Sequence, residues 1–416
     1  MRREGMVGAL RYVLATYSEF SLVALLTLYF TNMASQQALA DSSIAFIVIS
    51  YSTFLALGFH NGAIRDGAIS PCVEERERIL RLEIRFSLLI ALLLILAAII
   101  CHERFFLMVG LFIGGVNHLK TACQTVFRLL GMDLHLNVLS VSWASAFFVC
   151  FGLTFWLFAD GTLENRFFGA WAFAAFAVVG SFFVYCWVKL GLANEGRDER
   201  ARLFWKILSA SRYMFLMASG LVVVLTLDRL VLNTLGAAEK IRADFQYVDV
   251  LTNIYFLGMT SVLYYFTPGL MKQFSGDDVE HGVFKAMMVK CASYLAAVVV
   301  FFTAAISVFL LVIGRFEWPI FEILISMLLL KTMLICLGFV CNFYLAQRLE
   351  RLLAIAYLGL MAVGLGLSFG FGYLYTGTSA IVFLPLLNAL LVGALVVVLF
   401  KKIRTQGAHE ESTCIN

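Results

Sequence analysis

The apolar residues of this chain come in about a dozen blocks of roughly twenty, the length at which a helix crosses the hydrocarbon core of a bilayer. Inside that core the backbone must satisfy its own hydrogen bonds, so such blocks fold as helices. They lack the amphipathic spacing of a soluble helix, and 62% of the 416 residues are apolar while 14% are charged. A soluble domain is about half apolar and a quarter charged. The sequence therefore predicts an all-α, polytopic membrane protein rather than several soluble domains. Met1-Arg2-Arg3-Glu4 leads into an apolar stretch too long for a cleavable signal and without a small-residue cleavage site, so that stretch is expected to remain as a span.

Twelve spans are expected. The first six are Leu10–Thr31, Asp41–His60, Ile84–Cys101, Phe105–Phe127, Leu134–Ala159 and Phe168–Leu190. After the charged segment Asn194–Lys206 come Ile207–Thr234, Asp244–Leu270, Ala286–Ile313, Pro319–Leu345, Leu352–Tyr375 and Ala380–Phe400. This divides the chain into a six-helix half at residues 1–193, a linker at 194–206, a second half at 207–403 and a tail at 404–416. A faint repeat supports duplication. Arg11-Tyr12 recurs as Arg212-Tyr213, Ala40-Asp41 as Ala243-Asp244, and Leu57-Gly58-Phe59 as Leu257-Gly258-Met259. Halves of six spans face the same way, an arrangement in which carriers place the substrate path between repeats.

Orientation follows from the basic residues, which accumulate in cytoplasmic loops. Of 31 Lys and Arg, five (Arg104, Arg166, Lys240, Arg242 and Arg315) fall in the loops of one side. Lys120, Arg229 and Lys331 lie within spans, and the remaining 23 fall on the side of both termini. Both termini are thus expected in the cytoplasm. On that side Glu74–Phe86 and Asn194–Lys206 alternate charges with apolar residues, as either interfacial helices or solvated linkers do.

Several chemistries lack their sequence signals. No Gly-x-x-x-x-Gly-Lys-Ser/Thr phosphate cradle occurs, the six histidines are scattered, and the nine cysteines lack metal or redox spacing. The outer loops are short for a membrane enzyme that must hold an acceptor. No cofactor, metal or nucleic acid is expected, and the chain reads as a carrier rather than an enzyme.

Polar residues inside spans then become the candidates, because their burial in lipid is costly. Lys331 lies twelve residues past Pro319 and eleven before Asn342. About 18 Å of helix separates it from either end, so it needs an aqueous cavity or a buried partner. Asn117, Lys120 or Thr121, Gln124 and Arg128 recur at helical spacing and share one face; Asp249, Thr252, Asn253 and Thr260 do the same in the eighth span. Such faces line a path or join helices. Adjacent Asp228 and Arg229 point different ways and need separate partners. Glu19, Asp228 and Asp249 are ion-coupling candidates, Glu19 for a proton. His60, beside Asn61, is expected at the membrane interface.

Two segments carry a resemblance. Asp228-Arg229-Leu230-Val231-Leu232-Asn233-Thr234-Leu235-Gly236, followed by Ala237-Ala238-Glu239, resembles the end of the seventh span in Wzx-type polysaccharide flippases. Gln124-Thr125-Val126-Phe127-Arg128-Leu129-Leu130-Gly131 resembles that family's turn after the fourth span. The family belongs to the multidrug/oligosaccharidyl-lipid/polysaccharide exporter superfamily. The resemblance implies a MATE-like fold and a bacterial inner-membrane flippase, working by alternating access on undecaprenyl-pyrophosphate-linked oligosaccharide for O-antigen or exopolysaccharide. It also implies partners, namely a polysaccharide polymerase and a chain-length regulator. A cationic cavity suits a pyrophosphate, with Lys331, Lys120, Arg128 and Arg229 as its cations and Asn117 and Gln124 beside them. Glu19 in the first span and twelve rather than fourteen spans argue against peptidoglycan precursor. The alternatives are a cation-coupled multidrug exporter, which would want acidic cavity residues, and a membrane polysaccharide polymerase or ligase.

Overall fold

The computed structural model describes residues 3–413 except 71, 158–160, 192–196, 275–280 and 348, and no described residue lies in a strand. The helices are α1 (Arg3–Met33), α2 (Gln36–Ser52), α3 (Phe59–Ile69), α4 (Val73–Ile100), α5 (Phe105–Leu129), α6 (Asp133–Leu157) and α7 (Leu163–Leu190). There follow α8 (Arg197–Thr234), α9 (Glu239–Phe274), α10 (His281–Val312), α11 (Trp318–Ala346), α12 (Glu350–Tyr375) and α13 (Leu384–Thr413). Eleven described segments are long and apolar enough to cross a membrane. The expected span Asp244–Leu270 is also one helix, α9, but it is more polar than those eleven. The architecture is that of an all-α, multi-pass membrane protein.

The chain forms two compact units, Met1–Val222 and Val223–Asn416, so their boundary falls inside α8. Of the expected linker, residues 194–196 lie outside the described residues, and 197–206 are the opening turns of α8.

In the first unit α5 is the central helix, packed by α2, α4 and α7. Lipid tails are as apolar as leucine, so close packing rather than water exclusion must hold such helices together. Glycines on α5 permit it. A Cβ added at Gly110 would stand 3.0 Å from the Ala45 carbonyl oxygen of α2, and one at Gly115 3.1 Å from the Ala91 carbonyl oxygen of α4. Towards one end of the spans, α1, α6 and α7 are joined by aromatic rings. Phe30, Phe147, Phe167 and Phe168 are fully buried, with Phe30 stacked on Phe167 at 4.6 Å and Phe147 edge-on to Phe167 at 5.3 Å. Such pairs contribute about 0.5–1.5 kcal/mol each beyond their contact area.

The expected second span, Asp41–His60, departs from a single helix. After Ser52 the chain makes a 3-10 turn (Thr53–Ala56), then two left-handed residues, Leu57 (φ 48°) and Gly58 (φ 76°), before α3 begins at Phe59. A Cβ at Gly58 would lie 2.8 Å from the Ser211 carbonyl oxygen and 2.9 Å from Phe215, so glycine serves here both the turn and the close approach of α8. The partner segment of the repeat, Leu257-Gly258-Met259, is continuous helix within α9. The sequence match is not matched in conformation.

The two segments with interfacial patterning are the first turns of α4 and α8, and they pack on each other. Ile79 and Leu82 of α4 join Phe59 and Ile207 in one buried cluster, covered by Phe86, Leu203 and Phe204. Arg78 pairs with Glu199 at 2.5 Å and Lys206 with Glu75 at 3.8 Å across the same seam. Ile79, Leu82, Leu203 and Phe204 of these segments thus pack on protein, while Trp205 stays 65% exposed.

In the second unit α11 is central, packed by α9, α10, α12 and α13. Polar side chains join it to its neighbours. Tyr255 of α9 and Thr332 of α11 are bonded at 2.9 Å, and the Tyr344 hydroxyl donates to the Leu399 carbonyl of α13 at 2.8 Å. Of the eight described cysteines, Cys123, Cys186, Cys336 and Cys341 are buried and all eight are free, as small apolar packing residues would be; Cys414 lies outside the described residues.

Candidate functional site

Among the described residues three polar centres lie within the helices, one in the second unit and two in the first. In the second unit Lys331 of α11 finds a buried partner, one of the two possibilities its depth allowed. Its ammonium donates to Asp249 Oδ1 at 2.9 Å, Thr252 Oγ1 at 2.6 Å and Asn253 Oδ1 at 2.8 Å, all on one face of α9. It also lies 3.2 Å from the Asp249 carbonyl oxygen. The other carboxylate oxygen of Asp249 accepts from Asn253 at 3.0 Å and pairs with Arg229 of α8 at 3.1 Å. Asp228 accepts the backbone N–H of Arg229 at 2.8 Å, while the Arg229 side chain turns to Asp249. Two acids and two bases balance. Charges this buried persist only when paired and hydrogen-bonded throughout. Lys331 and Asp249 meet that condition, while the Nε of Arg229 is buried without a partner.

In the first unit Lys120 of α5 pairs with Glu19 of α1, and the same carboxylate oxygen accepts from the indole N–H of Trp143 on α6 at 2.6 Å. The Lys120 ammonium stands 4.7 Å from the Trp143 ring centroid, a cation–π contact. This lysine is less enclosed, since its side chain keeps 16% of its surface against 3% for Lys331. The rest of its face explains why. From Ile113 to Phe127 every residue of α5 is buried except Asn117, Lys120, Thr121 and Gln124, and Arg128 continues their stripe, also half-buried. The helical spacing seen in the sequence is therefore the least buried side of α5 over this stretch.

The other centre in the first unit was not legible. His60 contacts Glu83 of α4 through Nδ1, and its Nε2 lies 3.1 Å from Nδ1 of His118 on α5. His118 Nε2 in turn lies 2.9 Å from the Ser52 carbonyl oxygen. Two of the six histidines that look scattered in sequence are thus joined, and His60 belongs to this chain of contacts. His118 stands 58 positions from His60 and Glu83 23, so no local spacing signalled them. The break at Leu57-Gly58 turns His60 towards α4 and α5.

The structure therefore brings together Lys331, Arg229, Asp228 and Asp249, and separately Lys120 and Glu19 beside the α5 stripe. The site can offer cations, amides and hydroxyls along one face, with carboxylates held on lysines.

Three solved structures share this arrangement of helices over nearly their whole length. The inward-facing conformation of a multidrug resistance MATE family transporter of the MOP superfamily is 13% identical, with 97% of this chain and 99% of that one covered at a TM-score of 0.72. A MATE protein in complex with MaD5 is 13% identical, covering 99% and 98% at 0.68. The MATE multidrug transporter DinF-BH is 13% identical, covering 97% and 96% at 0.68. No family model and no curated protein matches the sequence. At such identities the likeness is one of fold, and the chain has the fold of the MATE transporters of the MOP superfamily.

Proposed function

We propose that the protein is a carrier that moves a lipid-linked oligosaccharide diphosphate across the bacterial inner membrane by alternating access. The observation that carries this reading is the half-buried face of α5, the least buried side of that helix, where Asn117, Lys120, Thr121, Gln124 and Arg128 stand in line. Amides and hydroxyls suit sugar hydroxyls, cations suit phosphate, and the stripe contains no acid. A receptor for cationic drugs would want an accessible, unpaired carboxylate, yet Glu19 is held by Lys120, Asp249 by Lys331 and Arg229, and Asp228 is buried on the backbone N–H of Arg229.

The same pairs suggest the coupling. A proton arriving on Glu19 releases Lys120, which then serves a phosphate oxygen; departure of the substrate restores the pair. Lys331 and Arg229, enclosed with Asp249, hold α8, α9 and α11 together. The polyprenyl tail remains in lipid, both termini face the cytoplasm, and a polymerase and chain-length regulator act on the delivered units.

The test is deletion of the gene in its native host, with lipid-linked saccharides located by leaflet. Single repeat units held on the cytoplasmic face without surface polymer support the flippase. Units that reach the outside unpolymerised indicate a polymerase, and an unchanged surface polysaccharide with altered drug sensitivity indicates drug export. Complementation with Lys120→Gln is expected to leave protein in the membrane and units inside.

A further inference from the structure

We propose that Glu83, His60 and His118 form a proton-binding site in the first unit, separate from Glu19, whose single proton fastens the break between α2 and α3 to α4 and α5. The inference follows from hydrogen-bond direction. The Ser52 carbonyl oxygen can only accept, so His118 must carry its hydrogen on Nε2 at the 2.9 Å contact. A neutral His118 then has a bare Nδ1, and His60 must donate to it from Nε2 across 3.1 Å. A neutral His60 would in turn present a bare Nδ1 to the Glu83 carboxylate, lone pair against oxygen. That contact needs one more proton, on His60 or on Glu83.

Placing the extra proton on His118 instead reverses the middle bond and leaves the count unchanged. Every arrangement that satisfies all three contacts therefore carries one proton more than a carboxylate and two neutral imidazoles. It also has no net charge, the condition under which a fully buried Glu83 is tolerated. Its second oxygen, Oε2, has no hydrogen-bond partner, so a Glu83 carboxylate that lost the proton would have no donor at all.

Among the described residues no other charge offers itself as a substitute. Glu83 is the contribution of α4 to this group, and Arg85, two residues on, projects from the opposite side of that helix. His118 is the contribution of α5, while Lys120, two residues on, is engaged by Glu19. On α3, Arg65 and Asp66 pair with each other at 2.9 Å. Against Gly58 and Gly62 of this segment α8 brings Ile207, Ser211 and Phe215, none of which titrates. Among the described residues no group of three or more His, Cys, Asp or Glu is placed to hold a metal ion.

The site sits where a lost contact has leverage. His60 is the second residue of α3, immediately past Leu57 and Gly58, whose left-handed conformations are the natural pivot. Its side chain is 13% exposed whereas that of Glu83 is fully enclosed, so protons reach the group through His60. Losing the proton removes one of three contacts that tie this turn to α4, α5 and the end of α2, and frees it to move.

Histidine-labelled, purified full-length protein tests this without any substrate, so the outcome is independent of what is carried. Nitrogen NMR should place the His118 hydrogen on Nε2 and follow one shared proton leaving as the pH is raised. Amide hydrogen exchange at residues 57–62, corrected for intrinsic chemistry, should quicken roughly tenfold with that loss, the size of one charge-assisted hydrogen bond. Glu83→Gln is the informative variant. Its amide can donate to His60 permanently, so it should fold and show slow exchange at every pH. A pH response retained in Glu83→Gln, no response in the wild type, or two histidines titrating independently would each overturn the proposal.

Discussion

Each unit is built around a central helix that carries a lysine, Lys120 on α5 and Lys331 on α11, yet the two lysines are treated oppositely. Lys331 is sealed among Asp249, Thr252 and Asn253, with Arg229 closing the far side of the carboxylate. Lys120 has one carboxylate and an indole face, and stands in a stripe that its unit leaves only half-buried. The depth of a lysine in a span therefore does not decide its accessibility. The number of polar groups that neighbouring helices bring to it does.

Removing the acid from each pair tests this difference most severely. Asp249→Asn leaves Lys331 and Arg229 enclosed without a counter-charge and is expected to cost about 3–5 kcal/mol. Glu19→Gln should cost clearly less, because Lys120 retains part of its surface and its ring contact. Thermal unfolding of the purified variants in one detergent measures both, and equal losses would erase the distinction.

Next in size is Thr252→Val, which keeps the shape of the side chain but removes one oxygen from Lys331. A loss of about 1.5–3 kcal/mol is expected, the usual range for a hydrogen bond to a charge, again read from thermal unfolding. Third comes the contrast between the repeated glycines. Gly58→Ala must place a side chain in the left-handed region against the Ser211 carbonyl, costing about 1–2 kcal/mol from backbone conformation alone. Gly258→Ala, in continuous helix, carries no such conformational penalty and is expected to cost less. Equal losses from both would remove the contrast. The smallest effect belongs to Lys240→Ala. Lys240 and Glu317 are bonded at 2.8 Å but are more than half exposed, and no measurable shift in unfolding temperature is expected.

Much of the candidate site could be read from residue spacing. Asn117, Lys120, Thr121, Gln124 and Arg128 recur at the helical period, and a face that polar in an apolar helix must be either lining or glue. Asp249, Thr252 and Asn253 obey the same rule, and they proved to be glue. Lining and glue share one pattern because helical spacing fixes which residues share a face and says nothing of what that face meets. The break after Ser52 was hidden for a different reason. Thr53–Ala56 continues the apolar run of α2 with no charge and no proline, so hydropathy extends the span to His60.

That the chain is helical and crosses the membrane many times is written in its residue order, because blocks of apolar residues in lipid permit little else. So is the list of residues that would be costly to bury. How that cost is met depends instead on packing. Lys331 is met by α9, Lys120 by α1 and α6, and His60 by Glu83 and His118. Those partners include groups 82, 101, 23 and 58 positions away in the chain. Coulombic and hydrogen-bond partners are chosen by distance in space, and in a helical membrane protein that distance is set by which helices pack together.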